Sequence, residues 1–471
     1  MKLHRIVKSI IPFLLMVPLM SACTVDTGDD DEEEEEKVQP SQVEEGATTI
    51  TMYLRNFEDW NNNYMLKRAK EFNDNLNDGI QLVVKFFEDE AYTDAFKVAK
   101  ENHQAPDIFM CSYGNIYHDI VETGDGVPLE TVIQQKYIDD ISSNIKPMVT
   151  YSNHVYGYPQ LSEPSSIFFY RKSMLQAAGV ESCPRTWDEL LAACAKIKPT
   201  LRRGQYCVGV PIGQALSWST YGLQYNMTGG LALNDNWTQS RVGTEEGFKE
   251  IASLWYDLYG NGYVPNGAIS PKGSYNDIIE GMMMSKVAMT FAGSWSIAEI
   301  MHTYSDLADD VGIGVIPTKD GDTTKVTASN GGWTYCISSQ SDADHQQKAA
   351  KVIEWFFAES PERTAGFFEA AYYSKAAATD SVRQYISEHV NDQLKEWTNV
   401  INDVASKAIP EATYPWSISV AVGTIFETCG LNANLSKGDS YKQTTINNAV
   451  KTADDSIKQI ITSSSWTGKP F

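Results

Sequence analysis

Between residues 48 and 110 the hydrophobic pattern switches repeatedly between two periods, and this alternation limits the possible folds more than any other feature of the chain. Thr48-Thr49-Ile50-Thr51-Met52-Tyr53-Leu54 alternates small polar with apolar and β-branched residues, the period of a strand. Over 64–76, Met65, Ala69 and Phe72 recur at helical spacing. Ile80-Gln81-Leu82-Val83-Val84-Lys85-Phe86 again reads as a strand, 93–102 as a helix, and Asp107-Ile108-Phe109-Met110 as a short buried strand. Strand and helix in strict alternation imply an α/β layer built on a parallel sheet. Such sheets bind ligands beyond the carboxyl ends of their strands, which directs attention to the loops 55–60 and 111–117.

The same grammar continues downstream. A strand over 166–170 leads into a helix over 172–178 that should stop at Gly179. Thr186, followed three residues later by Glu189, predicts a capping box opening a helix that runs to Ile197 and breaks at Pro199. A helix over 277–285 and strands over 286–291 and 312–317 follow, and from His345 onward the pattern is mainly helical. No internal repeat of fixed period is present.

The N-terminus reads differently. Lys2, Arg5 and Lys8 precede an apolar run over 10–20, which is shorter than the roughly 20 residues a membrane-spanning helix needs. A basic flank, a short apolar run and small residues are the pattern of a signal peptide over 1–22. Ser21-Ala22-Cys23 is similar to a bacterial lipobox, which would make Cys23 the lipidated first residue of the mature chain. The acidic stretch Asp29–Glu36 and the polar residues to 46 cannot bury a core, and 23–46 is expected to be a solvated tether. The net charge of −23 divides into +3 for residues 1–22, −10 for 24–46 and −16 for the rest. A body so acidic, with no Lys/Arg cluster, lacks the footprint of a nucleic-acid partner. About 425 residues remain for the folded part, room for two or three domains. Its six cysteines, at 111, 183, 194, 207, 336 and 429, include no C-x-x-C pair, and their connectivity is not legible.

Five blocks in order along 47–375 carry a family resemblance. They are Pro106-Asp107-Ile108-Phe109 with Glu122-x-Gly124; Tyr156-Gly157-Tyr158-Pro159 with Phe169-Tyr170-Arg171-Lys172 and Ala178-Gly179-Val180; Arg185-Thr186-Trp187-Asp188-Glu189-Leu190; the stretch from Gly281 to Gly293-Ser294-Trp295; and Gly331-Gly332-Trp333 with Ile337-Ser338. The chain resembles the extracellular solute-binding proteins of the maltodextrin-binding type (family 1), which serve ATP-binding-cassette importers. Ser285 departs from the glycine usual there, and the last hundred residues match only loosely. The resemblance implies an α/β, two-lobed, periplasmic-binding-protein-like fold (type II) with a hinge of multiple chain crossings. These crossings are expected near 159–163, 327–331 and 373–378. The lobes would then be 47–160 plus 331–372 and 161–330 plus 373–471.

The implied function is capture of a mono- or oligosaccharide between the lobes and its delivery to importer membrane subunits. The implied setting is outside the cytoplasm, on a lipid anchor at Cys23, as a monomer without cofactor or metal. A sugar offers hydroxyls that want charged or amide partners and C–H faces that want aromatic rings. Trp295 is the leading candidate, because the family's tryptophan in this motif stacks on sugar. Trp218, Tyr221, Trp333 and Trp416 are further aromatic candidates. Arg55, Asn56, Asp59, Tyr113, Asn115 and Glu163 are the polar ones. Trp187, at the start of the capping-box helix, reads as structural, and His103, His118, His154 and His302 as surface or helix-end residues.

Three rival readings remain. Glu163 and Asp59 would have to face one glycosidic bond for a glycosidase. A sensor or adhesin lipoprotein would share the fold. A non-sugar solute, such as a phosphoester or a peptide, would call for arginine and backbone N–H groups instead of tryptophans. The motifs H-E-x-x-H, G-x-S-x-G, G-x-G-x-x-G and the P-loop are absent.

Overall fold

The computed structural model describes residues 46–75, 79–211, 214–265, 275–390, 392–433, 439–463 and 466–470. The expected signal peptide, Cys23 and the acidic stretch lie outside these residues. The chain opens with β1 (Thr48–Asn56), α1 (Asp59–Asn75), β2 (Ile80–Glu88), α2 (Asp89–Glu101) and β3 (Ile108–Ser112). The alternating residues Ile50, Met52 and Leu54 are fully buried, with Met65, Ala69 and Phe72 of α1 packed into the same core. β1 pairs in parallel with both β2 and β3.

β4 (Tyr158–Pro159) comes next, then β5 (Leu161–Pro164) and β6 (Ile167–Arg171). Phe168 points into one core, and Ile167 and Phe169 into another, so period-two alternation packs both faces of the second sheet. The capping box forms: Thr186 Oγ1 accepts the Glu189 N–H at 3.0 Å and the Glu189 carboxylate accepts back from Thr186 N. Trp187, buried, donates from Nε1 to Pro317 O at 3.0 Å. β7 (Tyr206–Gly209), β8 (Val287–Ala292) and β9 (Val311–Gly314) complete the sheet in the order β9-β6-β8-β7. Ser285, in the turn before β8, has φ +58°, a left-handed conformation that favours the glycine the resemblance leads one to expect there.

β10 (Ser329–Gly331), β11 (Trp333–Ile337), β12 (Ala376–Ala377) and β13 (Ile409–Pro410) bind the halves together. β11 returns to the first lobe, antiparallel to β3 and β4, giving the order β2-β1-β3-β11-β4. The first sheet is therefore mixed, not wholly parallel. Between the lobes lies a third sheet, β12-β5-β10-β13, made of the hinge segments.

One boundary differs from expectation. The helix Asp380–His389 packs on the helix Pro361–Ala370, Thr379 bridges to Ile141, and Ser381 Oγ donates to Asp140 at 2.6 Å. Residues 376–389 thus pack with the first lobe. The third crossing falls just after His389, before the helix Asp392–Lys407, whose Ile401 and Val404 enter the second lobe's core. Amphipathic periodicity marks a helix but not which lobe receives its apolar face. The helices Trp416–Ala433 and Asp439–Thr462 close the second lobe against the helix Glu246–Gly260. The six cysteines of the body carry free thiols.

Candidate ligand-binding cleft

Between the lobes lies a cavity of about 690 Å³. Its first-lobe wall is set by the carboxyl end of β1. Arg55 and Asn56 line it, followed by Phe57, Glu58 and Asn61 at the start of α1, with Asn115 beyond β3. Asn56 Nδ2 donates to Glu88 Oε1 at 2.6 Å. The Arg55 guanidinium lies 4.4 Å from the Tyr92 ring centre and 5.2 Å from that of Trp333, so a cation fixes the face of the one tryptophan on this wall. Phe57 flanks the same indole at 4.9 Å.

The second-lobe wall is aromatic. Trp295 follows β8 through Gly293 and Ser294, and a Cβ on Gly293 would stand 2.0 Å from the indole, so only glycine lets the ring fold back toward the cavity. Trp218, from the helix Gln214–Ser219, sets its ring 5.4 Å from Trp295 at 38°. Tyr221 is buried and pairs its hydroxyl with that of Ser419. Tyr414 lines the wall beside it, and Trp416, 44% exposed, forms the lip.

The floor is the hinge. Lys375 Nζ lies 2.6 Å from Glu163 Oε2, with both side chains almost buried. Glu411, one residue past β13, accepts the Gly114 N–H at 2.5 Å on one oxygen and the Trp218 Nε1–H at 3.1 Å on the other. Burial pushes its pKa up to about 7 against these two bonds, and the nearby Glu163 charge adds to the rise. Burial also raises Glu58, with Lys375 opposing and Glu163 reinforcing the shift.

Nine of the sequence-derived candidates therefore meet at one cavity: Arg55, Asn56, Asn115, Glu163, Trp218, Tyr221, Trp295, Trp333 and Trp416. Two do not. Asp59 is exposed on the outer side of α1's first turn, and its neighbour Glu58 faces the cavity instead. Tyr113 is buried, donating its hydroxyl to Leu161 O at 2.5 Å, and its ring fills the space a side chain at Gly332 would need. Glu58, Asn61, Gln160, Lys375, Glu411 and Tyr414 line the cavity without having been singled out in the sequence. Glu411 follows a proline in the region where the resemblance is loosest. Only the position of Glu58, in a loop after a sheet strand, marked it.

Two mixed α/β lobes, a hinge sheet and one shared, aromatic-lined cavity define a protein that binds a ligand between lobes. The chain belongs to the bacterial extracellular solute-binding protein family, which it matches over residues 67–401. Solved structures share the fold. An ABC transporter solute-binding protein from Thermotoga lettingae, bound with α-D-tagatose, superposes with a TM-score of 0.70 at 22% identity, covering 88% of this chain and 100% of that one. The GacH receptor of Streptomyces glaucescens, solved unliganded and with acarbose, gives 0.71 at 17% identity over 89% and 100%. Maltose-bound MalE3 of T. maritima gives 0.68 at 16% over 88% and 99%. A search of curated protein sequences finds no match. Among the described residues, no helix is long and apolar enough to cross a membrane, and no group of three or more His, Cys, Asp or Glu side chains is placed to hold a metal ion.

Proposed function

We propose that this protein is the extracytoplasmic receptor of an ABC importer, capturing a mono- or oligosaccharide in the interlobe cavity and releasing it without chemical change. The observation that carries this reading is the opposition of two walls: Trp218, Tyr221, Trp295 and Trp416 on one side, Arg55, Asn56, Glu58 and Asn61 on the other. A pyranose or furanose ring could lay its C–H face on the indoles and direct its hydroxyls at the amides and charges. Three carboxylates, Glu58, Glu163 and Glu411, line the cavity against two cations, Arg55 and Lys375, and Lys375 is already paired with Glu163. That balance disfavours phosphorylated or acidic cargo. The solved relatives bind tagatose, acarbose and maltose, which agrees with a neutral sugar. Ligand contacts on both lobes would shift the equilibrium toward a closed form that an importer can recognise. The chain acts as a monomer held at the membrane by a lipid on Cys23.

Thermal unfolding of residues 47–471 against a panel of mono- and oligosaccharides tests the reading. A ligand at one hundred times its Kd adds about 2.7 kcal/mol, which would appear as a clear rise in melting temperature. A panel without any shift would remove the sugar from the proposal, and turnover of a bound sugar would replace the receptor with a glycosidase. Loss of membrane association in Cys23→Ser, assayed by cell fractionation, tests the anchor separately.

A further inference from the structure

The polar groups that line the cavity differ in how far the protein itself satisfies them. Asn56 donates from its amide to Glu88 and accepts from Asn62 on its amide oxygen. Gln160 Oε1 accepts from the Tyr335 hydroxyl at 2.9 Å. Glu411 accepts one N–H on each oxygen, from Gly114 and from Trp218. Glu163 Oε2 takes Lys375 at 2.6 Å. Glu58 stands apart. It is half-buried and lines the cavity from the start of α1, and among the described residues its carboxylate has neither a hydrogen-bond partner nor an ion-pair partner. The N–H groups of the first helical turn are its nearest neighbours in the chain, yet none donates to it.

Charge is uneven in the same way. Trp218, Tyr221, Trp295, Tyr414 and Trp416, on the second-lobe wall, carry none. The floor and the first-lobe wall hold Glu58, Glu163 and Glu411 against Arg55 and Lys375. Arg55 donates to Thr93 Oγ1 at 3.3 Å and lies over the Tyr92 ring. Lys375 is taken by Glu163, and these two, already paired with each other, are the charges that act on Glu58. One carboxylate inside the cavity is therefore left without a cation of its own. Partial burial makes such a charge costly until a cation pairs with it. The indoles opposite favour the same arrival, because the faces of aromatic rings attract cations. A neutral sugar could use the rings and the amides of Asn61 and Asn115, but it would leave the charge of Glu58 unanswered.

We propose that the cargo is an amino sugar, a mono- or oligosaccharide with at least one unacylated amine, whose ammonium group pairs with Glu58 while a ring lies on the Trp218–Trp295 platform. The inference rests on the receptor reading and narrows it. An ammonium group brings three donors and no acceptor. The open groups on this side are acceptors: both oxygens of Glu58 and, among the described residues, Glu163 Oε1, which has no partner. A sugar hydroxyl brings one donor and no charge. Acylation of the amine removes the charge and leaves a single N–H, so an N-acetyl sugar should behave as a neutral one.

Calorimetric titration with matched trios tests the inference: glucose, glucosamine and N-acetylglucosamine; galactose, galactosamine and N-acetylgalactosamine; cellobiose, the β-1,4 dimer of glucosamine and its diacetyl form. In at least one trio the free amine should bind about tenfold or more tighter than both companions, as expected for a hydrogen bond to a charged group. Added salt should shrink that preference. In Glu58→Gln the ratio of amine to neutral affinity should fall to within about twofold. In Asp59→Asn, which removes the same charge one residue away, the ratio should stay as in the wild type. Neutral or acylated members that bind as tightly as the amine in every trio overturn the inference and leave the sugar receptor standing. A preference that survives Glu58→Gln also overturns it. If no member of any trio binds, the sugar reading falls and takes the inference with it. Binding of spermidine in place of every sugar would do the same and assign the cavity to a linear amine.

Discussion

The two walls of the cavity are built by different means. On the first lobe, the carboxyl end of β1 and the first turn of α1 present short polar groups on backbone fixed by the parallel ladder. Arg55 is itself braced between Tyr92 and Trp333. On the second lobe, the aromatic groups come from separate elements: Trp218 from one helix, Tyr221 from the next, Trp295 from a turn after β8 and Trp416 from the start of a later helix. A single strand end can place hydrogen-bonding groups with small tolerance, whereas a stacking platform needs area and gathers rings from wherever the fold brings them. On the receptor reading proposed above, the difference predicts a division of labour, with the second lobe supplying most of the binding energy and the first the choice among sugars.

Removing the largest platform residue tests that division most severely. Trp295→Ala should lower affinity for a sugar identified in the panel by about thirtyfold or more, as expected for an anchor worth about 2 kcal/mol. Calorimetry should show the loss across every sugar that binds, with ranking among them preserved. On the opposite wall, Glu58→Gln should cost about tenfold for sugars that place a hydroxyl on it. A hydrogen bond to a charged group is worth about 1.5–3 kcal/mol. Here the ranking among epimers should change. If Glu58→Gln weakened all sugars equally while Trp295→Ala reordered them, the assignment of energy and choice to the two walls would be inverted.

How much of this was legible in the sequence follows the same line. Period-two and period-3.6 patterns located β1, α1, β2, α2 and β3 to within a few residues, because those elements bury one face and the chain records it. The capping box at Thr186 and Glu189 is a local hydrogen-bond exchange and was equally visible. Trp295 could be found because the Gly293-Ser294-Trp295 block resembles a family motif, whereas Trp218 and Trp416 rested on residue type and a looser match. Which of Glu58 and Asp59 faces the cavity depends on the first turn of α1, a rotation of about 100° per residue that spacing cannot phase. Glu411 and Lys375 reach the floor through the hinge, where contacts join residues far apart in the chain. Assignment of 376–389 to the first lobe depended on the same long-range packing.

Tyr113 separates architecture from ligand contact. Its hydroxyl bonds to Leu161 O beneath the cavity, so Tyr113→Phe should leave a buried carbonyl short of a donor and cost about 1–3 kcal/mol of stability. Denaturant unfolding would show this loss, and sugar affinity should stay within twofold of wild type.

The smallest effect is expected one residue from one of the larger. Asp59 opens α1, where a negative side chain near the helix N-terminus contributes about 0.3–1 kcal/mol when exposed. Asp59→Asn keeps the shape and hydrogen-bonding capacity of the side chain, so the stability loss should sit at or below the low end of that range. Because Asp59 is exposed and is not among the residues that line the cavity, affinity should not change measurably for any sugar. Measured beside Glu58→Gln with the same sugar, it forms an internal control. The two substitutions each remove one negative charge from adjacent positions, so a general loss of acidity would move both equally. Only the orientation set by the first turn of α1 separates them. A tenfold loss in Asp59→Asn with none in Glu58→Gln would rotate that turn and move the polar wall with it.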